Sequence, residues 1–182
     1  MIKLINENVA GPANSRDVSK PVMLSNDIVK LLQERLGDEY AAHYYYNSAS
    51  NWCKNVGYLK ATKFFEDESK DELEHARMLQ DYLIDWNVTP VIPKVDTHKD
   101  FSDLVDIING AYRIEYELFQ KYNQNSQVIF SIELSTFDFL KNFRDIQNKS
   151  VAEYSDLLNA LQLIDVNSRL DIIHFEEYYL GK

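Results

Sequence analysis

Glu72 and His75 stand one helical turn apart in the run Asp71-Glu72-Leu73-Glu74-His75-Ala76. On a helix that spacing sets a carboxylate and an imidazole on one face, where together they can hold a metal ion. Three further positions repeat the theme. Glu39 precedes Tyr46 by one heptad, and Glu115 and the pair Gln147-x-x-Ser150 each fall on a helical stripe of otherwise apolar residues. Carboxylates gathered in a dry interior cannot all stay ionised. Either some are protonated, or cations sit among them. Oxygen donors with one imidazole suit iron or manganese, and lack the thiolates of many structural zinc sites.

The elements that must position these residues read as helices throughout. Prolines occur only at 12, 21, 90 and 93, so long stretches carry no breaker. Helix A is expected from the Ser25 N-cap to about Cys53, with Gly57 breaking it, and helix B from about Tyr58 to Trp86. Pro90 and Pro93 stop helix B and open a link to about Phe101. Ser102 is expected to cap helix C, which runs to about Ile132. Ser135 and Asp138 have capping-box spacing at the start of helix D, with Leu134 and Phe139 as its staple. Helix D runs to about Leu163, and a short helix E follows over residues 168–179. No internal sequence repeat stands out. Short A–B and C–D joins make antiparallel neighbours, and the longer B–C link can cross the length of a bundle. The fold class is therefore all-α, a four-helix bundle with one long crossover and a short fifth helix. Residues 1–24 read as an extended N-terminal arm and 25–182 as the bundle domain.

The seams place the polar residues inward. Helix A offers Leu32, Glu39, Ala42, Tyr46, Ala49 and Cys53. Helix B offers Ala61, Phe65, Glu68, Glu72, His75, Leu79, Tyr82 and Trp86. Helix C offers Leu104, Ile108, Ala111, Glu115, Leu118 and Tyr122, and helix D offers Leu140, Phe143, Gln147, Ser150, Tyr154 and Leu158. Each apolar stripe carries a metal-competent residue near its middle, and antiparallel packing brings the middles to one level. Tyr44-Tyr45-Tyr46 reads as core and contact surface. Glu68 either joins the others or turns outward.

In this order the residues resemble the ferritins, over about residues 25–182. The fourth helix, with Gln147 and Ser150 in place of a second Glu-x-x-His, is similar to the heavy-chain, ferroxidase type. Bacterioferritin is disfavoured: it needs that second motif, and this chain has Leu73 where its haem ligand would lie. The resemblance implies a ferritin-like bundle and a di-iron centre without haem. Glu39, Glu72 and His75 would hold the first iron, Glu72 bridging. Glu115 would hold the second with Gln147 near it, and Tyr46 would act beside the site. It implies oxidation of Fe(II) by dioxygen, storage of Fe(III) mineral, and self-association into a hollow homo-oligomeric cage of twenty-four subunits. The competing readings are another di-metal carboxylate oxidase and a non-catalytic helical-bundle interaction protein.

Composition bounds the rest. The chain has 182 residues, 45% hydrophobic and 26% charged, with net charge −10. One domain of this size builds its own core without a staple. The acidic surface disfavours nucleic acid and anionic membranes but draws cations. Cys53 is the sole cysteine, so no intrachain disulfide forms. With no apolar segment near Met1, a cytoplasmic location is expected. The resemblance also implies acidic pore residues, for which Glu133 and Asp138 near the C–D turn are the nearest candidates, though surface charge and capping explain them equally. Asp171-x-x-His174, with Glu176 and Glu177, has metal-ligand spacing that capping by Ser168 also explains.

Overall fold

The computed structural model describes residues 24–96 and 100–181. Residues 1–23 of the expected arm lie outside these, while Leu24 is buried in the core. Four long helices form: α1 (Asn26–Val56), α2 (Leu59–Asp85), α3 (Leu104–Ile129) and α4 (Leu134–Leu161). A short α5 (Arg169–Tyr179) follows. The expected all-α bundle and its fifth helix are present.

Helix ends follow local chemistry. Ser25 caps α1 by accepting from the Ile28 amide at 3.3 Å. Gly57, at φ 97°, ends α1 in the left-handed region, and the Tyr58 amide turns back to the Cys53 carbonyl at 2.9 Å. α2 stops in the same way before either proline. Asn87 takes φ 62°, and the Val88 amide bonds the Leu83 carbonyl at 2.9 Å. Three expected start signals are corrected. Asp103, not Ser102, caps α3, accepting from the Asp106 amide at 2.7 Å. Glu133 caps α4 through the Ser135 and Thr136 amides, displacing the Ser135–Asp138 box. Leu134 is 62% exposed, so no staple forms there.

The start of α2 has no side-chain cap of its own. Buried Glu176 of α5 supplies one instead. Its Oε1 accepts from the Lys60 amide at 2.6 Å and the Ala61 amide at 3.2 Å. A negative charge there also suits the positive end of the helix dipole. This carboxylate docks the fifth helix against the bundle.

Cross-helix contacts fix the directions. Ser50 bonds the Thr62 carbonyl and Gln80 donates to Tyr40, while Tyr45 reaches Ile107 and Arg35 reaches Asn125, so α2 and α3 both run antiparallel to α1. Tyr82 meets Thr136 and Tyr154 meets Glu68, so α4 is antiparallel to α2. The link between α2 and α3 travels along α1. Val91 exchanges two hydrogen bonds with the Gln33 amide (2.7 and 3.0 Å), and Phe101 packs edge-on against Tyr45 and Trp52. It is the long crossover. Gly110 lets α1 and α3 approach closely: a Cβ there would lie 2.1 Å from the Tyr45 hydroxyl, which donates to the Ile107 carbonyl at 2.8 Å. The core is a seam of Leu, Ile, Phe and Tyr from all four helices, and each fully buried Leu or Phe contributes about 1.5–3 kcal/mol.

Candidate metal centre

Polar residues interrupt that seam at one level. Glu39 and Glu115 are fully buried, Glu72 is 3% exposed, and Gln147 is fully buried. They come from α1, α3, α2 and α4 respectively. The three-residue step from Glu72 brings His75 Nδ1 within 3.2 Å of Glu72 Oε2 and 3.7 Å of Glu39 Oε2. Ligand atoms of Glu39, Glu72 and His75 all lie within 4.8 Å of one another, and no other group of three such residues occurs among the described residues. Glu39 Oε2 is buried with no hydrogen-bond partner. An orphaned carboxylate oxygen facing an imidazole and a second carboxylate suits a bound cation.

Two tyrosines flank this layer. Tyr46 of α1 donates to Glu115 Oε1 of α3, and Tyr122 of α3 donates to Glu39 Oε1 of α1. Gln147, its amide nitrogen turned toward Glu115, donates to Glu115 Oε2 and to the Glu115 carbonyl, both at 3.0 Å. Ser150 is half-buried and bonds back to the Ile146 carbonyl at 3.4 Å. Glu68 turns inward onto Tyr154, whose hydroxyl donates to Glu68 Oε2 at 3.0 Å.

Charge in this layer is arranged around protons. Burial pushes Glu72 well above the usual carboxylate range, and the charge of Glu39 adds to the effect. Burial also raises Glu115 to about 7, against the hydrogen bond from Tyr46. Glu68 is raised to about 8 by burial, opposed by Tyr154. Burial would lower His75, but its contacts with Glu39 and Glu72 outweigh that and lift it to about 10. Glu39 goes the other way. Burial would raise it, yet His75, Glu72 and Tyr122 together hold it below the usual range. Without metal at neutral pH, protons on Glu72 and His75 do the work that cations would do.

The expected residues Glu39, Tyr46, Glu72, His75, Glu115 and Gln147 thus fall in one layer. Tyr122, expected only as a core aromatic, joins them. Its signal is present in the sequence, since Glu115 and Tyr122 repeat the heptad spacing of Glu39 and Tyr46. The C-terminal group does not assemble. Asp171 accepts from the Asp165 amide, His174 is exposed and stacks on Tyr178, and Glu176 caps α2. Glu133 is engaged as the α4 cap.

A family model described as a ferritin-like domain matches residues 29–164. The chain is 29% identical over 146 residues to a bacterial non-heme ferritin of Campylobacter jejuni, covering 78% of this chain and 86% of the relative. It is 26% identical over 144 residues to a probable bacterial non-heme ferritin-like protein of Haemophilus influenzae, covering 78% and 87%. Its fold is similar to that of a humanized archaeal ferritin, with TM-score 0.81 at 15% identity over 87% of this chain and 97% of the other. An open-pore ferritin from the hyperthermophilic archaeon Archaeoglobus fulgidus gives TM-score 0.78 at 15% identity, covering 87% and 98%.

Proposed function

The chain belongs to the ferritin-like family, and from that premise we propose that it stores iron, oxidising Fe(II) with dioxygen at a two-iron centre inside each subunit. The observation that carries this reading is the buried layer of Glu39, Glu72, Glu115 and His75, with one carboxylate oxygen left without a partner. Glu39, Glu72 and His75 would hold one Fe(II), and Glu115, with Gln147 near it and Glu72 shared, would hold the other. Tyr46 fixes the carboxylate of Glu115. Once the protons on Glu72 and His75 have left, Glu39, Glu72 and Glu115 bring three negative charges against the four positive charges of two divalent ions, and a bound hydroxide or a further carboxylate would close the balance.

The chemistry follows from the pairing. Metal pairs in carboxylate sites stand about 3.5–4 Å apart. Two ferrous ions so placed deliver two electrons together. With two protons these take dioxygen to hydrogen peroxide, without releasing superoxide. The seam around them is apolar, which limits entry of water and reductants. Gln147 in place of a fourth anionic ligand leaves the second ion less tightly held and easier to release as Fe(III). This is the donor set that resembles the heavy-chain type.

Storage requires a container, and the reading includes a homo-oligomeric cage of twenty-four chains. Large apolar side chains exposed on the single chain support association. Val128, Phe130 and Ile132 crowd the α3–α4 turn, and Leu163, Leu170 and Ile173 crowd the C-terminal end. An aerobic Fe(II) titration followed at the ferric absorbance tests the proposal. A fast phase saturating near two irons per chain, lost in Glu72→Ala, is expected. A rate indifferent to Glu72 would leave a non-catalytic bundle.

A further inference from the structure

Glu39 and Tyr46 on α1, and Glu115 and Tyr122 on α3, form two copies of one spacing related crosswise. Each tyrosine donates to the glutamate of the other helix. All four side chains are fully buried. From this exchange we propose that Tyr122 is a second positioning residue of the metal centre, fixing Glu39 as Tyr46 fixes Glu115, so that each half of the site has its own tyrosine. The proposal rests on the metal-centre reading given above.

The physical case is one of orientation. A carboxylate has two oxygens and several rotamers. Tyr122 occupies Glu39 Oε1, and the oxygen left without a partner is the one that lies 3.7 Å from His75 Nδ1. Without the hydroxyl, Glu39 loses the hydrogen bond that holds Oε1, and its carboxylate is less firmly oriented toward His75. Tyr122 is itself held rigid. Its ring stacks on Phe143 with centroids 4.9 Å apart and planes 17° apart, and Phe143 meets the His75 ring edge-on at 6.2 Å. The hydroxyl that orients Glu39 is thus carried on the same aromatic stack that supports His75. Donors behind a ligand typically change metal affinity about 10–100-fold.

Co(II) is the probe, read by its visible d–d bands and by isothermal titration at fixed pH. The unmodified chain and Glu72→Ala come first. Two bound Co(II) per chain, lost or severely weakened in Glu72→Ala, establish the centre; if the unmodified chain binds none, the metal-centre reading itself fails. Tyr122→Phe is then compared with Tyr46→Phe, each in a Glu115→Gln background that leaves the Glu39 side as the main site. Tyr122→Phe removes one oxygen and keeps the ring, so helicity by circular dichroism is expected to persist. In that background it is expected to weaken the remaining Co(II) about tenfold or more and to alter its d–d bands. Tyr46→Phe, whose partner is already changed, is expected to leave that ion within about twofold. Equal effects of the two variants, or an unchanged affinity in Tyr122→Phe while two ions still bind the unmodified chain, would overturn the assignment.

Discussion

Protons and metal ions compete for the same oxygens in this bundle, and the competition has a sign. Glu72, Glu115, Glu68 and His75 all have folded-state pKa values above their ordinary ones. The metal-free folded chain therefore binds more protons than the unfolded chain, and its stability falls as pH rises from about 4.5 toward 10. Glu39 opposes this only on acidification, because its lowered value supports the fold until it is protonated. Thermal melts of the metal-free protein are expected to show a higher midpoint at pH 5.5 than at pH 8.5, with the difference reduced in Glu68→Gln. A flat profile would mean that the layer carries no such protons. The same protons must leave when metal enters, so the heat of Co(II) binding at pH 7 is expected to vary with the ionisation enthalpy of the buffer. Gln147→Glu adds an anionic ligand to the Glu115 side. It is expected to raise occupancy of the second ion and slow its release, measured by competition with a chelator. Unchanged occupancy would show that the neutral amide does not set its affinity.

At the scale of elements, the seams of α1 and α3 are legible in full. Every residue expected on those two stripes is buried, because strict heptads on long helices leave one possible face. α2 is rotated relative to its expected seam. Ser69, Ala76 and Leu83 are buried beside the expected Ala61, Phe65, Glu72 and Leu79, while Glu68, His75, Tyr82 and Trp86 are half-buried at its border. Polar residues inside a helix blur the phase there. Helix ends are read less well, since Ser102 and Ser135 compete with the neighbouring acids Asp103 and Glu133, and a carboxylate is the stronger acceptor at the positive end of a helix. The cap on α2 is invisible to any local reading, because Glu176 lies more than a hundred residues away. Glu176→Ala is expected to cost about 1–2 kcal/mol in chemical denaturation and to expose α5 to proteolysis first. Asn109-Gly110 looks like a turn signal inside a helix, and its reason is equally remote. Gly110→Ala would drive a methyl into the Tyr45 hydroxyl and is expected to cost about 1–3 kcal/mol, with Tyr45→Phe in the same chain recovering part of it.

The whole molecule carries net charge −10, most of it on exposed side chains, and keeps its metal-competent residues at mid-depth. Attraction of Fe(II) to such a surface is screened by salt, so the initial rate of oxidation is expected to fall as ionic strength rises at constant pH. The mass in solution tests the container: scattering is expected to report a particle of about two dozen 21.3 kDa chains, and a monomer or dimer would rule out the cage. Beneath both lies the claim that acidic side chains from separate helices are tolerated in the core because cations bind among them. The most direct measurement is anomalous diffraction at the iron edge from crystals soaked anaerobically in Fe(II). Two peaks per chain are expected, one among Glu39, Glu72 and His75 and one beside Glu115 and Gln147, both absent in Glu72→Ala. A well-ordered layer with no anomalous density, and iron found only at surface carboxylates, would contradict it.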